Sequence, residues 1–268
     1  MPESFFGWVV FLLDEYGPLF IKGTLNTLLI AIVATIIGFG IGLLVAIIRT
    51  IPKDPKDNIL KKLILKILSI ILAVYVEVFR ATPMMVQAVL IYYGSLQFFG
   101  IDMQPVFAGI FIVSINTGAY MAEVVRGGII SIDKGQTEGA QSIGMTHWQT
   151  MIYVVLPQAI RNIMPSVSNE FVINIKDSAV LSVISVSELF FMSRSAAGTY
   201  ARFFEAFFIC SIIYFVINFI ITRILLFVEK KMDGSDSFVI TGSQNMSAKD
   251  IESFNNKVKE THNRRGGL

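Results

Sequence analysis

Long stretches without a charged residue constrain this chain more than any other feature. The clearest of them runs from Thr24 to Ile48. Roughly 20 apolar residues in a helix cross the hydrocarbon core of a bilayer, which is about 30 Å thick. Backbone groups that cross lipid must be hydrogen-bonded within the segment, and a helix achieves this. With 54% hydrophobic residues and a mean hydropathy of +0.65, the sequence predicts an all-α, polytopic membrane protein.

Five apolar stretches predict five transmembrane helices, at about 24–48, 70–98, 105–130, 153–175 and 203–228. In the first, Gly38, Gly40 and Gly42 would allow a neighbouring helix to approach closely. A basic, amphipathic lead-in at 58–66 is expected to lie on the membrane surface. These elements define a transmembrane domain at 1–232. The remaining residues, 233–268, have the polar composition of a disordered cytosolic tail.

The distribution of lysine and arginine predicts the orientation of the chain. Cytoplasmic loops of membrane proteins carry an excess of these residues. Five spans place the linker after the first span, the segment between the third and fourth spans, and the C-terminal end on one side. Those three regions hold most of the basic residues. The N-terminus is therefore expected outside the cell membrane, and the C-terminus and the segment around Glu138 in the cytosol.

That cytosolic segment carries a motif with fixed spacing. Glu138, Gly139 and Ala140 are followed after three residues by Gly144, and after nine more by a Val-Val-Leu-Pro segment that ends in Leu156 and Pro157. Proline near the start of a helix costs little, because the first amides of a helix have no partner within it. Without the spacing, the segment would be an ordinary interfacial helix that joins two spans.

On a helix, one face of this segment would carry Glu138, Gln141 or Ser142, and Met145. This small polar and thioether surface suits a groove on a partner protein. Gly144 is expected to end the helix, since glycine adopts the left-handed conformation easily.

The spacing resembles the coupling motif of type I ABC transporter permeases, which reads Glu-Ala-Ala, three residues, Gly, nine residues and Ile-x-Leu-Pro. Two positions depart from it, Gly139 for Ala and Val154 for Ile. Further segments resemble polar amino acid permeases of the histidine, glutamine and arginine type, and the likeness extends from about 23 to 228. These segments are 23–28, 79–83 with Gln87, 119–123 with 126–129, 156–159 with Arg161, 176–178 and 188–189.

The resemblance implies a type I ABC permease fold and a subunit that carries a polar amino acid across the cell membrane by alternating access. It implies a second, identical or similar permease subunit, two ATP-binding cassette ATPase subunits, and an extracytoplasmic amino-acid-binding protein. This sequence has no Gly-x-x-x-x-Gly-Lys-Ser/Thr phosphate loop, so this chain is not expected to hydrolyse ATP. The resemblance implies that the ATPase subunits bind ATP and Mg²⁺. We therefore expect no catalytic residue, metal or cofactor in this chain. The expected ATPase contact consists of Glu138, Gly139, Ala140, Gly144, Leu156 and Pro157.

Charged residues inside a span indicate a transport path or a partner, because an ionisable group is costly at membrane depth. Glu77 and Arg80 lie three residues apart in the predicted second span and share a helix face. Thr82 and Pro83 follow, and Pro83 is expected to kink the helix. Two interpretations are open. The charges line a gate or wall that faces the substrate, or they form an ion pair that holds the bundle together.

The outer end of the fourth span carries Lys176 and Asp177. The segment at 178–200, which includes Glu188, is too interrupted for a further span. We expect short helices there that form an outer gate and part of a docking surface, with a plain surface loop as the alternative. The predicted substrate path or gate consists of Glu77, Arg80, Thr82, Pro83, Lys176, Asp177 and Glu188.

Other function classes fit the sequence less well. A net charge of +2 does not indicate a nucleic-acid partner. Cys210 is the single cysteine, and His147 and His262 are far apart, so neither a disulfide framework nor a zinc site is expected. An intramembrane enzyme would need a nucleophile and a base together in the spans. An ion-coupled secondary carrier of small polar solutes is the alternative transporter, although it would favour midplane ion ligands and repeated spans.

Overall fold

The computed structural model describes residues 2–51 and 58–232, and in these ranges every regular element is helical. The predicted tail at 233–268 lies outside the described residues. In chain order the elements are α1 (Phe5–Thr50), α2 (Ile59–Ala81), α3 (Met84–Phe99), α4 (Pro105–Ile130), α5 (Lys134–Ser142), α6 (His147–Thr150), a π-helical turn (Met151–Val155), α7 (Leu156–Asp177), a 3-10 segment (Ser178–Ile184), α8 (Leu189–Tyr200) and α9 (Phe203–Met232).

The first helix is much longer than the span predicted at 24–48. It has 46 residues, which corresponds to about 69 Å at 1.5 Å per residue. Pro18 and Lys22 interrupt the hydropathy of its N-terminal part. That part stays helical because Leu12 and Phe20 are buried in a cluster with apolar side chains of α8 and α9. The N-terminal extension of α1 is thus held by tertiary packing that the local sequence does not reveal.

The predicted second span at 70–98 is two helices rather than one. Thr82 and Pro83 both have extended backbone angles, so α2 ends and α3 begins on either side of them. The prediction of a kink at Pro83 was too mild: proline removes an amide donor and restricts the residue before it to extended angles. The lead-in at 58–66, predicted to lie on the membrane surface before the second span, is continuous with α2 from Ile59 onward.

The backbones of α1 and α4 touch. A Cβ added at Gly38 would lie 2.7 Å from Thr117, and one added at Gly42 would collide with Met121. The close approach expected at these two glycines is confirmed. At Gly40 the expectation was wrong, because an added Cβ would meet no atom within 4 Å.

A buried polar trio joins three helices at the centre of the bundle. The Thr117 hydroxyl in α4 donates to Asn174 Oδ1 in α7 over 3.1 Å. Asn174 Nδ2 donates to the Thr35 hydroxyl in α1 over 2.9 Å. Such interhelical bonds between polar side chains stabilise helix association within a membrane. The trio fixes α7 against the α1–α4 pair.

Contacts along the helices set their relative directions. Ala46, near the end of α1, packs with Val125 near the end of α4 and with Ile163 in the first half of α7. Therefore α1 and α4 run in the same direction and α7 runs in the opposite one. The ring of Phe5 lies 5.6 Å from that of Phe204, so α9 starts beside the start of α1.

Three of the described helices, α1, α4 and α9, are long and apolar enough to cross a membrane, and α3 is a shorter apolar helix. The bounds of α4 match the predicted third span at 105–130, and α9 contains the predicted fifth span at 203–228. The predicted fourth span at 153–175 corresponds to the end of the π-helical turn followed by α7.

Candidate functional site

The predicted coupling segment begins with a short helix, α5, that is capped at both ends. Asp133 Oδ1 accepts a hydrogen bond of 2.6 Å from the amide two residues later. At the other end, Gly144 has φ +87°. Its amide donates to the Gln141 carbonyl (3.0 Å), and the Met145 amide donates to the Ala140 carbonyl (3.2 Å), which is the Schellman pattern. The prediction that Gly144 ends the helix in a left-handed conformation is confirmed.

A capping box begins the second helix of the coupling segment, α6. The Gln149 amide donates to the Thr146 hydroxyl over 3.3 Å, and the Thr146 amide donates to Gln149 Oε1 over 2.8 Å. These reciprocal bonds satisfy amides that a helix start otherwise leaves open. Because the α5–α6 turn carries its own caps, its backbone is held by local hydrogen bonds.

The surface of the α5–α6 pair is partly apolar. Ile143 is 79% exposed and Trp148 is 52% exposed, and the sequence analysis gave neither residue a role. Glu138 and Gly139 are exposed too, whereas Ala140 is buried. Of the face predicted from helical spacing, Glu138, Gln141 and Ser142 are exposed and Met145 is half-buried.

Leu156 and Pro157 lie where the π-helical turn passes into α7. Pro157 has no amide hydrogen to donate to the preceding turn. The wider turn accommodates it, with the Leu156 amide bonded to the Met151 carbonyl. Gln158 Nε2 donates to the Val154 carbonyl over 2.8 Å. These two predicted coupling residues therefore form the junction between the coupling segment and a central helix.

An ion-pair triad lies at the end of α1 and α4 that is nearer to α5. Glu123 accepts a hydrogen bond from Arg49 Nη1 (2.5 Å) and two from Arg126 Nε and Nη2 (3.0 and 2.8 Å). The sequence analysis missed the Arg49–Glu123 pair, because 74 residues separate its members. The sequence feature that could have indicated this pair was an arginine at the end of one predicted span together with a glutamate inside another. The triad fastens the end of α1 to α4.

Glu77 and Arg80 are not paired. Among the ion pairs of the described residues, none joins them, so the bundle-holding interpretation is wrong for this structure. The guanidinium carbon of Arg80 lies 5.6 Å from the centre of the Tyr120 ring, a cation–π distance. Glu77 and Arg80 are exposed on this chain, and they line a depression of about 390 Å³ together with Arg49 and Glu123.

Gln87 stabilises the break between α2 and α3. Pro83 has no amide hydrogen, so the Phe79 carbonyl lacks its helical donor. Gln87 Nε2 lies 2.9 Å from the Phe79 carbonyl oxygen and 2.9 Å from that of Thr82, and Asn116 Nδ2 donates to Gln87 Oε1 over 2.9 Å. Gln87 is 6% exposed. The signal in the sequence was an amide side chain four residues after a proline within an apolar stretch.

The charged residues after the predicted fourth span differ in their surroundings. Lys176 and Asp177 are exposed at the end of α7. Glu188 is fully buried: its carboxylate caps α8, accepting bonds from two amides of the first turn (2.7 and 2.6 Å) and from the Tyr214 hydroxyl (3.1 Å). Glu188 was predicted to belong to the substrate path or gate; its burial keeps the carboxylate from facing an open path within this chain, and its part in a gate stays a prediction. The expected short helices at 178–200 are present as the 3-10 segment and α8.

A family model described as a binding-protein-dependent transport system inner membrane component matches residues 61–234. The chain belongs to this family. It is 32% identical over 216 residues to a glutamine transport system permease protein of Escherichia coli, a match that covers 80% of this chain and 93% of that protein. It is 31% identical over 219 residues to an arginine transport system permease protein of Bacillus subtilis, covering 82% and 94%. The members of this inner membrane component family are permease subunits and not enzymes.

Solved structures agree with the family. The crystal structure of an amino acid ABC transporter with histidines has a chain that is 36% identical, with a TM-score of 0.72, covering 86% of this chain and all of that one. An inward-facing methionine ABC transporter is 18% identical with a TM-score of 0.67, covering 80% and 96%. The second likeness shows the fold alone. The all-helical architecture of this inner membrane component is therefore that of ABC transporter permeases.

Proposed function

We propose that this chain is one of two membrane-spanning subunits of an ATP-driven importer for a polar amino acid. Family membership supports the importer class, and the glutamine and arginine transport relatives support the cargo class. The likeness to a solved amino acid ABC transporter supports both. These findings favour the permease over an ion-coupled secondary carrier, the alternative that the sequence left open.

In this proposal the chain crosses the membrane five times, with α1, α2, α4, α7 and α9 as the spanning helices. α2 and α7 have 23 and 22 residues, enough for the hydrocarbon core. Arg49, Arg126 and Lys134 gather at one end of the bundle, and the excess of basic residues assigns that end to the cytosol. The N-terminus then lies outside and the C-terminus in the cytosol.

The α5–α6 pair is the proposed contact with an ATPase subunit, and one observation carries this assignment. A helix pair with its own caps exposes two large apolar side chains, Ile143 and Trp148, to the surroundings. Exposed apolar patches with a polar rim are typical of protein interfaces. Each of two permease subunits contacts one of two ATPase subunits, and these bind ATP and Mg²⁺.

The proposed path for the amino acid passes the exposed face of α2. Arg80 offers a guanidinium that can bind a carboxylate with two hydrogen bonds, and Glu77 offers a carboxylate for an ammonium group. Thr82 and Pro83 provide the break that directs α3 away from α2. An extracytoplasmic binding protein delivers the amino acid at the end of the bundle that carries Lys176 and Asp177.

The cargo assignment is tested with the assembled transporter. The permease, its ATP-binding subunit and its binding protein are reconstituted in lipid nanodiscs, and ATP hydrolysis is measured with a panel of amino acids. We expect glutamine, arginine or histidine to stimulate hydrolysis, and apolar amino acids to leave it at the basal rate. Stimulation by no amino acid in the panel would contradict the assignment.

The coupling assignment is tested by co-purification of the ATP-binding subunit with Trp148→Gln. Truncating an interfacial tryptophan commonly costs 2 kcal/mol or more, and 1.4 kcal/mol is about tenfold in affinity. We therefore expect at least about a tenfold loss of affinity. The control is Phe98→Gln, which changes a residue of α3 that is 76% exposed. Equal recovery of the ATP-binding subunit with both variants would refute the assignment.

A further inference from the structure

A cavity of about 420 Å³ lies between the C-terminal ends of α1 and α4 and the coupling segment. Its lining includes Arg49, Arg126, Lys134, His147 and Thr150, and isoleucines at 129, 130 and 132 form an apolar side. The lining residues, all of them within the described ranges, include no Asp or Glu. The cavity is thus basic on one side and apolar on another.

Among the described residues that line or bond to the lining of this cavity, positive charges exceed negative ones. Arg49 and Arg126 share the single carboxylate of Glu123, which leaves one positive charge, and Lys134 adds a second. A guanidinium has five N–H donors, and Glu123 occupies only one nitrogen of Arg49. Burial lowers the pKa of His147 below its usual value, so this imidazole is neutral at neutral pH and does not change the balance.

We propose that this cavity binds the phosphate group of an anionic ligand, either a phospholipid headgroup or free phosphate. A tetrahedral phosphate presents several acceptor oxygens, so it can accept from the arginines and the Lys134 ammonium at once. The isoleucine side of the cavity suits the glycerol and first acyl carbons of a lipid. This site shares Arg49 with the depression that Glu77 and Arg80 line, and neither Ile143 nor Trp148 lines it. Its occupancy fastens the coupling segment to α1 and α4.

The test uses the purified full-length chain in a neutral detergent. Short-chain phosphatidylglycerol, phosphatidylcholine of the same chain length, and inorganic phosphate are titrated separately. Thermal unfolding is followed through the reaction of Cys210, which is the single cysteine and is buried, with a thiol-reactive dye. We expect a saturable rise in Tm with phosphatidylglycerol and none with phosphatidylcholine. A rise of the same size with inorganic phosphate would identify free phosphate as the ligand, and no rise with phosphate would identify the lipid.

Two variants show whether the effect arises in this cavity. Lys134→Gln and Arg126→Gln each remove a charge-assisted hydrogen bond to the phosphate. Each should raise the half-saturating concentration about tenfold, equivalent to about 1.4 kcal/mol. Lys231→Gln, at an exposed position on α9, should leave it unchanged. The Tm of each variant without anion separates lost binding from a folding defect. No rise in Tm with either anion, or equal responses of wild type and both variants, would overturn the proposal.

Discussion

The replacement Gln87→Leu tests whether one amide side chain stabilises the break between α2 and α3. Gln87 Nε2 has two hydrogens for three nearby acceptors, the Phe79 carbonyl and the two oxygens of Thr82 at 2.8 to 2.9 Å. It can therefore satisfy two of them at once. A third bond joins Gln87 to Asn116. Leucine has a similar volume, so that the change removes the bonds without opening a large cavity.

The size of the effect follows from these bonds. Side-chain hydrogen bonds within membrane proteins contribute about 0.6 kcal/mol on average. A buried carbonyl that loses its donor costs about 1–3 kcal/mol. Pro83 ensures that no backbone amide replaces the donor for Phe79, and Asn116 Nδ2 at 3.4 Å would be left as its donor. We expect Gln87→Leu to lower the free energy of unfolding by about 2–4 kcal/mol. On the scale of soluble domains of this size, that loss lowers Tm by about 4–16 °C.

The assay is thermal unfolding of the purified chain in detergent, reported by the reactivity of the buried Cys210. The control is Gln97→Leu, which makes the same chemical change at an exposed position of the same helix. A double-mutant cycle with Asn116→Leu should show a coupling energy of about 0.5 kcal/mol or more. Equal Tm values for Gln87→Leu and Gln97→Leu would show that the break does not depend on this side chain.

Three further predictions concern coupling, orientation and cargo. The Gly144→Val permease should insert normally yet lower uptake at least about tenfold, because a β-branched residue at φ +87° is strained by about 1–3 kcal/mol. The control is Gly139→Ala, which should retain uptake because a Cβ added at Gly139 meets no atom within 4 Å. With Cys210 replaced by Ser, a cysteine at Gln141 should react with an impermeant thiol reagent only in permeabilised cells, and one at Arg194 in intact cells. Arg80→Lys should lower uptake and leave complex yield unchanged, since an ammonium cannot copy the two-pronged guanidinium contact.

Each of these predictions has an outcome that would count against it. Wild-type uptake by Gly144→Val at equal expression would remove the coupling argument. The opposite labelling pattern would invert the orientation, and with it the assignment of the α5–α6 pair to the cytosol. Unchanged uptake by Arg80→Ala would remove Arg80 from the path.

The sequence predicted those parts of the fold that depend on local properties. Uninterrupted apolar runs gave bounds close to those of α4 and α9, because lipid-crossing segments need length and hydropathy and little else. Gly144 was assigned the left-handed conformation that it has, since this preference belongs to glycine itself. The extension of α1 to Phe5 was not predictable in this way. It depends on Leu12 and Phe20 meeting α8 and α9, far away in the sequence.

In the candidate site, too, the sequence predicted the features that depend on neighbouring residues and not those that depend on helix packing. The α5 helix and its end follow from spacing and composition over a few residues. The partners of charged and polar side chains do not, because they are set by which helices come together. Glu77 and Arg80 share a helix face yet do not bond, whereas Arg49 and Glu123 bond across 74 residues. Glu188 was predicted in the substrate path or gate because it is charged, and the structure buries it where two amides of α8 donate to its carboxylate.

The backbone contact between α1 and α4 limits how a transporter built from this chain can move. Gly38 and Gly42 place no side chain of α1 against Thr117 and Met121 of α4, so a shift of either helix along the other would drive these two side chains into α1. The two helices are therefore expected to move as one rigid body, and a covalent cross-link along their seam should not slow uptake. The displacement that opens one side of the membrane and closes the other is then expected elsewhere, and the break at Thr82 and Pro83, where two residues with extended angles separate α2 from α3, is a candidate hinge.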